Sequence, residues 1–150
     1  MSQASAASEN TAMPTQIILV CHAPLASALH AVACHGFHQH LADVIAIDVL
    51  SEERREHVCE RIQAAWQEAG TPKAVLLLTD LHGATPSNGA SLWLSSQTPD
   101  VAGGADAAGV AGVSLPLLLK ALTYKHLPPA ALAAHLLESQ ADCGCRLEAL

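Results

Sequence analysis

The feature that most constrains the fold is an apolar run in the middle of the chain that ends in a polar, turn-forming stretch. Residues 74–78 are apolar, and Thr79-Asp80-Leu81-His82-Gly83-Ala84-Thr85-Pro86-Ser87-Asn88 follows them. This order predicts a buried strand, a loop and a helix start, with Thr85 as N-cap and Pro86 as the first helical residue. We therefore expect Asp80 at the carboxyl end of a buried strand, where open α/β sheets bind ligands.

A second apolar strand is predicted over residues 16–21, and His22 follows it directly. If the two strands are neighbours, His22 and Asp80 face each other across the top of the sheet. A carboxylate that accepts a hydrogen bond from one imidazole nitrogen fixes the tautomer and leaves the other nitrogen as an acceptor or nucleophile. We therefore predict that His22 and Asp80 are catalytic, although His22 could instead be a structural histidine and Asp80 a helix cap.

The remaining patterns alternate between strand and helix. Helices are predicted over residues 25–37, 51–69, 86–96, 114–124 and 128–141, and further strands over residues 44–48 and 108–113. This order is typical of an α/β fold with a doubly wound, mainly parallel four-stranded sheet and helices on both faces. We expect the C-terminal tail, residues 145–150, to add an antiparallel edge strand.

Length and composition indicate a single domain. The chain has 150 residues, of which 51% are hydrophobic and 14% charged, so it can bury a core without disulfides. Residues 1–15 are expected to form a disordered tail and residues 16–150 the domain. The net charge of −7 disfavours nucleic acid and anionic membranes as partners and suits a basic protein.

The cysteines favour a reducing, cytoplasmic compartment, because there are five of them, an odd and scattered set. The segment from Cys34 to His40 carries zinc-ligand residue types, with Cys34 and His38 one helical turn apart. No second cluster of comparable density accompanies it, and Cys143 and Cys145 are interpreted as structural thiols. We therefore expect neither a metal nor a cofactor, and no run is long enough to span a bilayer.

The chain resembles the mannose-family enzyme IIA domain of the bacterial sugar phosphotransferase system over residues 16–150. The resemblance rests on His22 after the first strand, on the motif from Asp80 to Asn88, and on residues 111–119 (AGVSLPLLL). The chain departs from the family at Ala23-Pro24, where glycine usually follows the histidine, and at His82, where the family often has an aromatic residue. His82 is either a contact near the phosphate or a surface residue.

The resemblance implies a phosphocarrier. In that family the histidine corresponding to His22 accepts phosphate from the phosphohistidine of HPr and passes it on, the aspartate corresponding to Asp80 orients it, and Thr85 supplies a hydroxyl. The amides of two helix starts, around Ala23 to Ser27 and Thr85 to Ser87, could neutralise the phosphate without lysine or arginine. The resemblance also implies a homodimer that exchanges an edge strand, with HPr and possibly an enzyme IIB as partners.

Other functions stay open from the sequence. The same domain could be the phosphoryl-transfer subunit of a dihydroxyacetone kinase, although such a subunit normally has a longer chain. A non-enzymatic module could use the helix amides and Asp80 to hold an anion or a partner. A hydrolase or metal enzyme is the least supported class, because no Ser, His and Asp order or ligand cluster accompanies the site.

Overall fold

The computed structural model describes residues 13–38, 41–98 and 102–150. Within these ranges, strands and helices alternate up to β4 and α4, and a fifth helix follows. The strands are β1 (Gln16–His22), β2 (Val44–Val49), β3 (Ala74–Thr79) and β4 (Asp106–Ala111), and the helices are α1 (Leu25–Gly36), α2 (Arg55–Glu68), α3 (Thr85–Ser96), α4 (Leu115–Thr123) and α5 (Pro129–Glu138).

The four strands form one parallel sheet in the order β2-β1-β3-β4. This confirms the predicted fold class. The central strands β1 and β3 are buried on both faces, which explains why they read as uninterrupted apolar runs. Because β1 and β3 are adjacent and parallel, their carboxyl ends meet at one edge of the sheet, at His22 and Asp80.

Successive side chains of β1 enter two separate cores, as the pleat of a strand requires. Ile17 and Leu19 pack with α1, α4 and α5 on one face. Ile18 and Val20 pack with α2 and α3 on the other face, where Trp66 and Trp93 meet edge to face. The helices thus cover both faces of the sheet, as predicted.

Two helix starts differ from the predictions. Helix α3 begins at Thr85 itself with Ala84 in the N-cap position, so Thr85 does not cap the helix and Pro86 is its second residue. Helix α2 begins at Arg55 and not directly after Ser51. Glu53 explains this delay, because its carboxylate accepts from the amide of Leu50 at 3.2 Å and holds the connection as a turn.

The chain ends also differ from the predictions. Residues 1–12 lie outside the described residues, whereas Thr15 is buried and its hydroxyl donates to the carbonyl of Leu127 at 2.7 Å. The antiparallel edge strand predicted from residues 145–150 does not form in this single chain. A 3-10 helix (Gln140–Cys143) leads instead into a tail without regular structure, where Leu147 and Leu150 are exposed. A strand needs ladder hydrogen bonds and a packed face, and in this single chain residues 145–150 form neither with the unpaired edge of β4.

Across residues 13–38, 41–98 and 102–150, every helix is too short or too polar to cross a membrane.

Candidate active site

The structure brings His22 and Asp80 together at the carboxyl edge of the sheet. His22 Nδ1 lies 2.8 Å from Asp80 Oδ2, and the backbone N–H of His22 donates to the same oxygen at 3.0 Å. Leu81 N–H donates to Asp80 Oδ1 at 2.9 Å. With two of its three donors on the backbone, the carboxylate has a fixed orientation, and it holds the imidazole through Nδ1.

The pair is arranged so that the carboxylate is shielded and the ring is accessible. The Asp80 side chain is 13% exposed, whereas the His22 side chain is 47% exposed. Burial raises the pKa of Asp80, but hydrogen bonds from the His22 ring and from the His22 and Leu81 amides outweigh burial and lower the pKa below its usual range. Asp80 is therefore ionised near neutral pH. Its hydrogen bond favours the His22 tautomer that carries its proton on Nδ1 and has a lone pair on Nε2.

Hydrogen bonds of Thr79 and Ser87 hold the loop that carries Asp80 in place. Their hydroxyls are 2.6 Å apart, and Ser87 Oγ also donates to the carbonyl of Leu81 at 2.7 Å. Ser87 is 7% exposed. The buried hydroxyl of Ser87 joins α3 to the Asp80 loop, and the binding of phosphate by Ser87 stays a prediction.

At the amino end of α1, groups that were predicted to bind phosphate have hydrogen-bond partners within the chain. Ala23 N–H donates to the carbonyl of Val49 at 2.9 Å, and so is already paired. Ser27 N–H donates to Asp48 Oδ1 at 3.1 Å, and Ser27 Oγ donates to Asp48 Oδ2 at 2.5 Å. Ala23 and Ser27 were predicted to bind phosphate, but the groups by which they would do so have partners within the chain.

The amino end of α3 lies beside the Asp80 loop. Gly83 has a φ of +82°, which favours glycine and turns the chain into the helix. Thr85 and Ser87 supply the first amides of α3, which have no acceptor within the helix, and Pro86 has no N–H. Of the two helix starts predicted to bind phosphate, the start at Thr85 is the one whose first turn is not already bound by a carboxylate of the chain.

His82 is exposed on the same loop. With Thr79 and Ser87 it lines a small cavity of about 130 Å³ between α3 and β4. No hydrogen bond joins it to His22 in the part of the chain that the structure describes. Both predicted roles of His82, a contact near the phosphate and a surface residue, stay open.

Asp48 was not singled out in the sequence analysis, although the signal was present. It stands near the carboxyl end of β2, as His22 does in β1, and Asp80 follows β3 directly. In parallel strands all three positions converge on one edge. A search for polar residues at every strand end would have found it.

Within the described ranges, no three His, Cys, Asp or Glu side chains are grouped as metal ligands. In the segment that carries zinc-ligand residue types but was expected to bind no metal, Cys34 Sγ lies 3.5 Å from His30 Nε2 and accepts from the amide of Leu41. His40 lies outside the described residues.

Comparison with known proteins gives the family. The family model described as the PTS system fructose IIA component (EIIA-man) matches residues 16–135. No curated protein sequence matches the chain significantly.

Solved structures with the same fold include several IIA proteins. The mannose/sorbose-specific IIA subunit from Enterococcus faecalis has a TM-score of 0.76 and 24% identity, over 92% of this chain and 98% of that one. The phosphotransferase component EIIA from Streptococcus agalactiae has a TM-score of 0.70 and 23% identity, over 88% and 96%. A PTS IIA protein associated with the fucose utilization operon of Streptococcus pneumoniae has a TM-score of 0.65 and 21% identity, over 87% and 93%.

The likeness to these structures establishes the fold, and the family match spans most of the chain. Neither the non-enzymatic binding module nor the dihydroxyacetone kinase subunit is favoured by these findings. The chain therefore belongs to the EIIA-man family, and it is a IIA phosphotransferase component, a phosphocarrier of the sugar phosphotransferase system.

Proposed function

We propose that the chain carries its phosphoryl group on Nε2 of His22, which it receives from the phosphohistidine of HPr. The observation that carries this proposal is the 2.8 Å contact between His22 Nδ1 and Asp80 Oδ2. The Asp80 carboxylate binds Nδ1 of His22, and Nε2 belongs to an accessible ring that a partner protein can reach.

The transfer is an in-line displacement at phosphorus. The lone pair of His22 Nε2 forms the new P–N bond while the P–N bond of phospho-HPr breaks and its electron pair returns to the HPr histidine. Positive charge then develops on the His22 ring. Asp80 stabilises that charge through Nδ1–H, since a fixed carboxylate costs no reorganisation at the moment of transfer.

We assign the remaining role in phosphate binding to the first turn of α3. Thr85 lies there, half-buried, at the position where the family has a hydroxyl residue. The amides and the positive end of the helix dipole can neutralise a phosphoryl group without a lysine or arginine.

The partners follow from the same proposal. HPr delivers the phosphoryl group, an enzyme IIB takes it onward, and the exchange occurs in the cytoplasm.

We also propose a homodimer in which residues 145–150 of each chain pair with β4 of the other. Among the residues that the structure describes, β4 pairs with β3 alone, and the tail leaves Leu147 exposed.

The test is phosphorylation with purified enzyme I, HPr and phosphoenolpyruvate, followed by measurement of the intact mass. The wild-type chain should gain one phosphoryl group that acid removes and base does not. His22→Ala should gain none, and His126→Ala, which removes another exposed histidine, should behave as the wild type. Labelling of His22→Ala by HPr would contradict the assignment.

A further inference from the structure

The carboxylate of Asp48 occupies the place at the start of α1 where an anion would bind. Ser27 is the third residue of α1, and both its backbone N–H and its hydroxyl donate to Asp48, at 3.1 and 2.5 Å. A carboxylate at this point has the same interactions with the helix dipole that a phosphate would have. The third residue of α1 is thus already bound by a carboxylate of the chain.

A hydrogen bond from α2, on the face of the sheet opposite α1, also holds Asp48 in place. Arg61 of α2 donates from Nη1 to the carbonyl oxygen of Asp48 at 2.8 Å and to Glu53 Oε1 at 2.7 Å. Glu53 accepts in turn from the amide of Leu50. The end of β2 is therefore tied to α2 by its carbonyl and to α1 by its carboxylate, which leaves Asp48 little freedom to move.

The charge of Asp48 acts close to His22. Asp48 is paired in register with Cys21, the residue before His22, and Asp80 approaches His22 from β3 on the opposite side of β1. The pKa of the Cys21 thiol is sensitive to both charges. Burial raises this pKa most, Asp80 and Asp48 raise it further, and together they bring it to about 12. His22 therefore lies on the strand between β2, which carries Asp48, and β3, which Asp80 follows directly.

We propose that Asp48 is a positioning residue for phosphoryl transfer, which closes the amino end of α1 to the phosphoryl group and directs that group towards the first turn of α3. Its charge also repels the phosphoryl dianion on His22 and so raises the tendency of phosphohistidine to pass the group on. This inference rests on the proposed function, since it requires that His22 be the carrier.

The test is the equilibrium constant for phosphoryl exchange between phospho-HPr and the chain, measured for the wild type, Asp48→Asn and Asp43→Asn. The Asp48→Asn substitution keeps the size of the side chain and its ability to bond Ser27, but it removes the charge. We expect the equilibrium to move about 10-fold towards the phosphorylated chain, as for one charge acting across several ångströms of partly screened protein. Asp43→Asn removes the same charge just before β2, at its far end, where Asp43 pairs with Lys125, and should change the constant less than twofold.

A purely structural role for Asp48 would change the melting temperature or the rate and leave this equilibrium constant as it is. An unchanged constant in Asp48→Asn, with the wild type labelled normally, would overturn the inference alone. Failure of the wild type to be labelled at His22 would overturn the proposed function and this inference with it.

A second measurement needs no variant. In amide spectra of the wild-type chain recorded before and after phosphorylation, the Thr85 resonance should shift more than the Ser27 resonance, because Ser27 stays bound to Asp48. A larger shift at Ser27 than at Thr85 would contradict the proposed direction of the phosphoryl group.

Discussion

Replacing Asp80 by asparagine tests how His22 is activated. In the wild type, Asp80 Oδ2 accepts from the ring and the backbone of His22, and Oδ1 accepts from Leu81 N–H. Asparagine has only one oxygen. Whichever way it turns, at least one N–H group will face the amide NH₂ and lose its acceptor.

The magnitude follows from these contacts. A hydrogen bond to a charged group is worth about 1.5–3 kcal/mol, and each 1.36 kcal/mol of barrier changes a rate about tenfold. If that stabilisation is needed when the His22 ring becomes positive, transfer from phospho-HPr should slow by about 10²-fold. HPr binding should persist, because the Asp80 side chain is mostly shielded.

The assay is rapid-quench measurement of a single turnover with phospho-HPr, with binding followed separately by calorimetry. Asp106→Asn is the matched control, since Asp106 is an exposed aspartate that begins β4 at the other end of the sheet, and it should transfer at the wild-type rate. If Asp80→Asn folds, binds HPr and transfers within threefold of the wild-type rate, the orienting role of Asp80 is refuted.

Four further predictions concern packing, reactivity, pH and assembly. A methyl group at Gly89 would lie 2.5 Å from Val58 Cγ1, so Gly89→Ala should lower the free energy of unfolding by about 1–3 kcal/mol in urea titration; no loss would contradict the close α2–α3 packing. Burial, Asp80 and Asp48 raise the pKa of Cys21 to about 12, so a thiol reagent at pH 8 should label exposed Cys145 and spare Cys21; prompt labelling of Cys21 in the folded protein would count against it. The lowered pKa of Asp80 means that its stabilising contribution is present above its unfolded pKa of about 3.9 and is lost as pH falls through the folded value; the melting temperatures of wild type and Asp80→Asn should therefore converge in acid, and a constant gap would contradict this. Deleting residues 145–150 should convert the proposed dimer to a monomer in light scattering, and an unchanged mass would exclude strand exchange by the tail.

Local patterns were sufficient to predict the four strands and the fold class, whereas the meeting of His22 with Asp80 was expected only if β1 and β3 were neighbours. Adjacent parallel strands bring their carboxyl ends to one edge, so His22 at the end of β1 and Asp80 directly after β3 meet once these strands are neighbours. The order of strands in the sheet is a tertiary property, and the sequence could only permit it.

The expected phosphate contacts could not be predicted in the same way. Ser27 and Ser87 have the residue type and the helix position of anion binders, but their hydroxyls are bonded to Asp48 and to Thr79 and Leu81. Ser27 and Asp48 are 21 residues apart in sequence, so no local pattern shows that they pair. The edge strand predicted for residues 145–150 depends in a similar way on a distant pairing, which no local pattern shows and which the single chain does not form.

The atom that carries the phosphoryl group can be identified by spectroscopy. We would phosphorylate the chain with ¹⁵N-labelled histidine and record nitrogen–phosphorus correlation spectra at neutral pH, assigning the signal with His22→Ala. We predict one phosphorus bonded to Nε2 of His22, with Nδ1 still protonated against Asp80. Phosphorus bonded to Nδ1 of His22, or to any other residue, would contradict the proposed mechanism.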